Sequence, residues 1–406
     1  MKLHYHPLQQ QDFQFNITGS KSISNRYLIL KALFSNLELT GLSNSDDTQV
    51  LQKALATPPA HVDEIDIHHA GTAMRFSTAY LSAIPGANIV LTGSQRMQER
   101  LIGILAEALR NLGASIEYVA NEGFPPLKIK GRVLTKEEIS ISADVSSQYI
   151  TALMLIAPSF QKGLTIHLES KITSKPYLQM TAQALQSIGV KVDFEGNSIK
   201  VYPKHSIQPT TIEVESDWSS VSYFYSALAL MEAGTMEIAT FYKNSLQGDA
   251  KVAEYYKLFG IETEFENKCI RLSKVDNFQY PKLIELDLND TPDLAQTIAV
   301  TCLGLQVECI LTGLHTLKVK ETDRLVALKN EIEKFGAEVI ITEETLHLKP
   351  TLQLNSGVQI KTYQDHRMAM AFAPLAFKID LEVLEPEVVS KSFPTFWEEM
   401  KVLGIY

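Results

Sequence analysis

The sequence predicts an α/β protein with two large domains, each built from three related modules. The first observation is a phrase that joins an apolar helix, a glycine and an alternating strand, and that recurs along the chain. Its clear copies span residues 105–119, 181–195, 252–266 and 328–342. The second observation is size, because 406 residues with 45% apolar content can bury two hydrophobic cores.

The individual elements follow from local patterns, taken in chain order. Phe13, Phe15 and Ile17 alternate and predict a half-buried strand, and the apolar positions of 23–34 predict an amphipathic helix. A degenerate early copy of the module is expected at 46–67. In every later copy a glycine follows the last apolar helical residue, where a left-handed cap is favoured. These glycines are Gly113, Gly189, Gly260, Gly336 and Gly404.

The last copy, residues 398–406, ends almost directly after its glycine and lacks its own strand. We expect the first strands of the chain, near residues 2–6, to supply the missing pairing. The N-terminus then belongs to the C-terminal domain, and the chain crosses between domains twice. The predicted domains are 1–19 plus 216–406, and 20–215.

Composition excludes several classes of function. The net charge of −10 argues against a nucleic-acid or anionic-membrane partner. No apolar run is long enough to span a bilayer, and the opening MKLHYHPLQQ lacks the apolar core of a signal peptide. The three cysteines have no metal-type spacing, so buried thiols in a reducing cytoplasm are expected. We expect no metal and no organic cofactor.

Compact polar phrases rich in Lys, Arg, Ser and Thr stand at the ends of predicted elements. They are GSKSISNR (19–26), AGTAMR (70–75), RMQER (96–100), SSQY (146–149), SKPY (174–177), KVKETDR (318–324), DHR (365–367) and SKSFP (390–394). An acidic protein that concentrates cations in a few loops is expected to build an anion pocket there. Helix N-termini favour the same ligands, since their N–H groups are unpaired and carry partial positive charge.

Each phrase also has an ordinary structural explanation. Ser22 or Ser24 is a candidate N-cap with solvated cations beside it. Glu321 and Arg324, three residues apart, are expected on one helical face, where a surface ion pair is the common outcome. Asp293 precedes an apolar helix, where capping is the usual role. Taken together, the phrases indicate an anionic ligand between the two domains, for which two phosphates are a candidate, and they leave the chemistry open.

In order along the chain, GSKSISNR, AGTAMRF, LTGSQRMQER, SSQYITALMLIAP, SKPY, VKETDRL and DHRMAMAF resemble the signatures of the enolpyruvyl transferases that act on shikimate 3-phosphate. The resemblance implies two domains, each of three βαβαββ units, in an inside-out α/β barrel with the active site in the cleft between the domains. It implies a monomer whose substrates are shikimate 3-phosphate and phosphoenolpyruvate. The 5-hydroxyl adds to C2 of the enol, and the tetrahedral intermediate then expels phosphate.

The resemblance also implies roles for individual residues. The shikimate 3-phosphate contacts are Lys21, Ser22, Arg26, Ser146, Ser147, Gln148, Ser174, Tyr177, Asp293 and Lys320. The phosphoenolpyruvate contacts are Lys21, Gly71, Arg100, Gln148, Arg324, Arg367 and Lys391. The catalytic group comprises Lys21, Asp293, Glu321 and His366. The two carboxylates are expected to carry the protons, because phosphates around Lys21 favour its charged form.

Some positions depart from the family pattern. His69 and Thr316 stand where asparagine is usual, and Leu101 replaces proline. The first module is short, since 55–68 lacks the usual glycine-rich segment. We expect altered affinity from these changes, with activity retained.

Two other functions compete with this interpretation. One is enolpyruvyl transfer to UDP-N-acetylglucosamine, which KETDR, SSQY and the absence of a cysteine between residues 90 and 125 disfavour. The other is a non-catalytic phosphometabolite-binding protein. Stabilisation by shikimate 3-phosphate separates the first from our interpretation, and phosphate release separates the second.

Overall fold

A computed structural model describes residues 1–56, 63–142, 146–170, 172 and 175–406. The chain divides into two compact units. The continuous unit is Gly19–Val214, and the discontinuous unit joins Met1–Thr18 to Glu215–Tyr406. The bounds expected from the sequence differ from these by one residue at each crossing.

Helices and strands mix throughout both units. The helices are α1 (Lys21–Leu33), α2 (Asp46–Ala56), α3 (Gly71–Ala83), α4 (Gln95–Gln98), α5 (Gly103–Asn111), α6 (Ser147–Ile156), α7 (Lys175–Ser187), α8 (Trp218–Leu230), α9 (Val252–Tyr255), α10 (Ala295–Leu305), α11 (Arg324–Glu333), α12 (His366–Phe372) and α13 (Phe396–Val402). In the described residues none of them is long and apolar enough to cross a membrane.

The strands are short. They are β1 (Lys2–Leu3), β2 (Asp12–Phe15), β3 (Leu37–Thr40), β4 (Glu64–Asp66), β5 (Asn88–Thr92), β6 (Ser115–Tyr118), β7 (Leu127–Lys130), β8 (Glu138–Ser142), β9 (Leu164–Glu169), β10 (Val192–Glu195), β11 (Ser198–Val201), β12 (Thr210–Glu213), β13 (Thr235–Ala239), β14 (Ile261–Glu266), β15 (Cys269–Lys274), β16 (Leu283–Asp287), β17 (Glu308–Thr312), β18 (Val339–Ile341), β19 (Leu346–Leu348), β20 (Val358–Ile360) and β21 (Leu381–Val383).

One sheet topology recurs, as the sequence repeat predicts. Its strand orders are β4-β5-β7-β6, β8-β9-β11-β10, β2-β13-β15-β14 and β16-β17-β19-β18. In each sheet the first two strands are parallel, and the last two form an antiparallel hairpin against the second. A parallel pair needs a crossover connection, and the continuous unit is inserted in the crossover from β2 to β13.

The two ends of the chain pair with each other, as the clipped last module predicts. Strand β1 runs antiparallel to β21, which is parallel to β20. Tyr5 forms a bridge with Ile405, and the His4 amide donates to the Tyr406 carbonyl at 3.1 Å. The N-terminal residues therefore complete the final module of the discontinuous unit.

The N-cap of helix α1 lies two residues before Ser22, the first of its two expected caps. Its N-cap is Ser20, whose side chain accepts from the Ile23 amide at 3.5 Å, so the predicted capping by Ser22 or Ser24 is wrong. The predicted amphipathic pattern is also wrong, because residues 23–30 are buried without interruption. Packing against α2, α3, α6 and α7 covers both faces of α1. Its polar side chains must consequently find partners inside the unit.

Helices also form the interior of the discontinuous unit, where α8, α10 and α12 pack together and are almost wholly buried. The module glycines adopt the predicted left-handed conformation, with φ between 73° and 108°. They are Gly113, Gly189, Gly260, Gly336 and Gly404.

Two expected local structures differ from the prediction. Residues 320–323 are outside α11, which begins at Arg324, so Glu321 and Arg324 do not share a helical face. Asp293 lies in a short 3-10 helix, Pro292–Leu294, and the N-cap position of α10 is Leu294 instead. Helix α11 begins at Arg324 because the Asp323 side chain caps it, accepting from the Leu325 and Val326 amides. Residues 57–62 of the short first module lie outside the described part of the chain.

Candidate active site

In the continuous unit, Arg26 is a buried residue of helix α1. Its guanidinium donates to the Ser22 carbonyl at 2.8 Å, the Thr181 hydroxyl at 2.8 Å and the Tyr177 carbonyl at 3.2 Å. The rings of Phe76 and Tyr177 each lie 5.9 Å from its central carbon. Burial lowers the pKa of Arg26 to about 10, which leaves the side chain charged at neutral pH. Within the described ranges it contacts no carboxylate, so nothing there neutralises this charge.

The N-terminus of α6 carries the SSQY residues. The Ser146 side chain accepts from the Gln148 amide at 3.3 Å and caps the helix, which Ser147 begins. The Gln148 side-chain amide lies 3.5 Å from the Thr72 hydroxyl in the first turn of α3. The helix starts of α3 and α6 are thereby brought together. Ser174, also predicted here, lies outside the described residues.

Two guanidinium groups lie against the start of α3. Arg75 donates to the Gly71 carbonyl at 2.8 Å, and its guanidinium carbon lies 5.3 Å from the centre of the Tyr149 ring. A methyl group on Gly71 would lie 2.7 Å from the terminal nitrogen of Arg100 and 3.1 Å from that of Arg75. Glycine at this position therefore permits the close approach of Arg100. Arg75 was not among the predicted site residues, although it is the last residue of the AGTAMR phrase.

Lys21, the first residue of α1, has a carboxylate partner that sequence reasoning missed. Its ammonium lies 3.5 Å from Asp47, which is buried in the first turn of α2. An acidic residue in the first turn of a helix is common, so DDTQV gave no distinctive signal. Lys21 therefore lies beside a buried negative charge, at the start of the helix that also carries Ser22 and Arg26.

In the discontinuous unit, a network of charged side chains surrounds Arg324, which is fully buried. Arg324 donates to Asp365 at 2.6 Å, Asp293 at 2.8 Å and Glu321 at 2.9 Å. Burial alone lowers the pKa of Arg324, but the three carboxylates outweigh burial and leave this pKa above its ordinary value. The alternative of a solvated ion pair on a helix surface is wrong for this segment.

Asp293 lies at the meeting point of three cations. Besides Arg324, it accepts from Arg367 at 3.0 Å and lies 3.5 Å from the Lys320 ammonium. Burial tends to raise the pKa of Asp293, yet Arg367, Lys320 and Arg324 together hold it well below the usual range. The Asp293 carboxylate is therefore ionised at neutral pH.

Glu321 bridges two cations. It accepts from Arg324 at 2.9 Å and, through its other oxygen, from Lys391 at 3.0 Å. Lys391 ends the 3-10 helix Pro386–Lys391 and is itself buried. The phrase SKSFP, which showed little by itself, thus contributes a cation to the same network.

Asp365 and His366 are adjacent at the start of α12. Asp365 caps this helix by accepting from the Arg367 amide at 2.9 Å. The His366 ring is buried, and its Nδ1 lies 3.7 Å from an Asp365 oxygen. The network as a whole brings Lys320, Arg324, Arg367 and Lys391 together with the carboxylates of Asp293, Glu321 and Asp365.

A further carboxyl, Asp249, was not predicted. Burial, and next the charge of Asp293, raise the pKa of Asp249 to about 6. Its partner is the Ser219 hydroxyl, which donates a hydrogen bond to it. Nothing in the local sequence distinguishes Asp249 from an ordinary surface acid.

Thr316 and Leu101, two of the residues that depart from the family pattern, differ in solvent exposure and in hydrogen bonding. The Thr316 hydroxyl is buried and has no hydrogen-bond partner in the described structure. Leu101 is largely exposed, while its carbonyl accepts from the Tyr149 hydroxyl at 2.7 Å. In the described ranges no group of three His, Cys, Asp or Glu side chains could hold a metal ion.

A family model and several known proteins match this chain in sequence. The model of the EPSP synthase (3-phosphoshikimate 1-carboxyvinyltransferase) family matches residues 52–400. A 3-phosphoshikimate 1-carboxyvinyltransferase of Bacteroides fragilis strain YCH46 is 45% identical over 96% of this chain and 94% of its own length. One from Sulfurovum sp. strain NBC37-1 is 36% identical over 98% of both chains.

A solved EPSP synthase structure from Acinetobacter baumannii has the same fold. It superposes with a TM-score of 0.81 at 22% identity and covers 100% of this chain and 99% of its own. The fold class expected from the sequence is thereby confirmed. From these matches, the chain belongs to the EPSP synthase (3-phosphoshikimate 1-carboxyvinyltransferase) family.

Proposed function

We propose that the residues of the two charged clusters carry out the family's reaction. As a family member, the chain transfers the enolpyruvyl group of phosphoenolpyruvate to the 5-hydroxyl of shikimate 3-phosphate, in the shikimate pathway of aromatic amino acid biosynthesis. The products are 5-enolpyruvylshikimate 3-phosphate and phosphate. The proposal also includes a monomer that acts in the cytoplasm.

Shikimate 3-phosphate is assigned to a set of residues that carry charged, amide or hydroxyl groups. They are Lys21, Ser22, Arg26, Ser146, Ser147, Gln148, Ser174 and Tyr177, with Asp293 and Lys320. Arg26 supports this assignment best, because a buried cation without a carboxylate favours an incoming phosphate.

Phosphoenolpyruvate is assigned to the remaining cations and their neighbours. They are Lys21, Gly71, Arg100 and Gln148 in the continuous unit, and Arg324, Arg367 and Lys391 in the discontinuous unit. Two phosphorylated anions repel each other, so a reaction between them needs fixed cations in excess of carboxylates. Arg100 beside Gly71 and the cations of the Arg324 network contribute to that requirement.

The observation that carries the chemical proposal is the pair of carboxylates held by one guanidinium. Asp293 and Glu321 both accept from Arg324, at 2.8 and 2.9 Å. Addition of the hydroxyl to C2 releases a proton and needs one at C3, and the elimination step removes a proton from C3. We assign these transfers to the two carboxylates, with Lys21 and His366 as electrostatic partners.

The proposal is tested with single-turnover rates of Asp293→Asn and Glu321→Gln. Each should slow the chemical step by about 100- to 10,000-fold, because general acid–base catalysis is worth that much. Glu343→Gln is the matched control, since Glu343 is an exposed carboxylate that pairs with Lys318 in the same unit. Near-normal chemistry in both variants would contradict the assignment.

Release of phosphate from purified protein with both substrates tests the activity itself. UDP-N-acetylglucosamine in place of shikimate 3-phosphate should give no release. Binding of both substrates without release would instead favour the non-catalytic alternative.

A further inference from the structure

The turn that leads into α12 has an unusual backbone. Tyr363 and Gln364 both have left-handed conformations, with φ of 54° and 55°. Residues other than glycine adopt this region rarely, and two in succession persist only where the surroundings hold them. The turn closes with the Asp365 amide donating to the Thr362 carbonyl at 2.9 Å. Asp365 and Arg367 of the charged network follow directly.

Glu331 holds this turn from one side. It is fully buried, and it accepts from the Tyr363 hydroxyl at 2.7 Å and from the Lys361 amide at 3.0 Å. Burial, together with the Glu331 carboxylate, raises the pKa of Tyr363 to about 12, so the phenol keeps the proton that it donates. Lys334 pairs with the same carboxylate and compensates its charge.

The position of Glu331 links the turn to the network. Glu331 lies on α11, which begins at Arg324, and seven residues correspond to two helical turns. Arg324 itself binds Asp365 at 2.6 Å. The stretch from Lys361 to Asp365 is thus held at both ends by a single helix.

Glu385 holds the turn from the other side. It accepts from the Thr362 hydroxyl at 3.2 Å and has a left-handed φ of 51°. The 3-10 helix Pro386–Lys391 starts at the next residue and ends at the cation that pairs with Glu321. The constrained turn therefore contacts the segments that carry Arg367 and Lys391.

We propose that Glu331 and Tyr363 are positioning residues, whose hydrogen bond fixes the turn so that Arg367 is presented for phosphoenolpyruvate. The inference rests on the proposed assignment of Arg367. Without the phenol hydroxyl, the left-handed pair loses a buried partner and Arg367 moves relative to Asp293. Phosphoenolpyruvate binding weakens, while contacts of the continuous unit with shikimate 3-phosphate are unchanged.

The test is steady-state kinetics of Tyr363→Phe. We expect KM for phosphoenolpyruvate to rise about three- to tenfold, the scale of one ordinary intramolecular hydrogen bond, with a smaller rise in KM for shikimate 3-phosphate, most of whose assigned contacts lie in the continuous unit. Tyr202→Phe is the matched control, because Tyr202 donates to the Asp193 carboxylate at 2.8 Å in the other unit. The control should leave both KM values unchanged.

A double mutant separates this inference from the proposed function. If Tyr363 acts through Arg367, Tyr363→Phe should add almost nothing to the KM of Arg367→Lys. Additive effects, equal rises in both KM values, or a Tyr363→Phe variant that matches Tyr202→Phe would each overturn the positioning role. If Arg367→Lys alone leaves KM for phosphoenolpyruvate unchanged, the assignment of Arg367 fails instead.

Discussion

Arg26 and Arg324 are both buried arginines at the centre of a polar cluster, yet their surroundings are opposite. Arg26 donates to hydroxyl and carbonyl oxygens, while Arg324 donates to three carboxylates. Burial lowers the pKa of Arg26 to about 10, whereas the carboxylates leave the pKa of Arg324 above its ordinary value.

The difference indicates two uses of a buried cation. Neutral partners orient Arg26 and leave its charge available, which suits binding of an anion. Three carboxylates compensate the charge of Arg324, and Arg324 in turn keeps Asp293 and Glu321 close together, which suits proton transfer.

The first prediction concerns Arg324→Met. Removing the guanidinium leaves buried carboxylates with too few cations, so the free energy of unfolding should fall by about 3–5 kcal/mol. Urea unfolding at neutral pH measures it. Arg96→Met is the control, because Arg96 and its partner Glu99 are both exposed, and loss of their ion pair should cost at most about 1 kcal/mol. A loss no larger than the control's would show that the carboxylates do not depend on Arg324.

The second prediction concerns Arg26→Met. Here kcat/KM for shikimate 3-phosphate should fall about 100- to 1000-fold, because a desolvated cation facing an anion is worth several kcal/mol. Stability should stay the same or increase, since an uncompensated buried charge is removed. Destabilisation as large as that of Arg324→Met, with activity retained, would refute the contrast between the two arginines.

The third prediction concerns Asp249→Asn. The unfolded chain has an aspartate pKa near 4, and the folded pKa is about 6. Between these values the folded state binds more protons, so wild-type stability falls as pH rises from about 4 to 6 and stays lower above. The variant should be more stable than wild type at pH 8 by roughly 1–3 kcal/mol, and by less at pH 5. Urea unfolding at both pH values measures this, and an equal advantage at both would contradict it.

Local pattern predicted much of the fold. The recurring helix, glycine and strand phrase indicated the repeated sheet topology, and Gly113 and its four counterparts have the left-handed caps expected of them. Boundaries near the site were less predictable, since Glu321 lies outside α11 and Asp293 outside α10. The Asp323 side chain sets the start of α11 by capping it, and a 3-10 turn with Pro292 at its start precedes α10.

The residues of the candidate site also divide into those that local motifs predicted and those that they did not. The motifs predicted Arg26, Arg100, Asp293 and Glu321, because residue type and order are local properties of the chain. They did not predict Asp47, Arg75 or Asp249, whose contacts with Lys21, Tyr149 and Ser219 join residues that are far apart in sequence.

Periodicity and motifs are properties of neighbouring residues, so the repeated α/β module, the family and the candidate site residues can be predicted from the sequence. The partner of each buried charge depends on how the chain folds. Arg26 meets Thr181 across 155 residues and Arg324 meets Asp365 across 41. The electrostatic character of a buried group depends on its neighbours in space, so no local pattern could have shown that one arginine has only neutral partners and the other is paired with carboxylates.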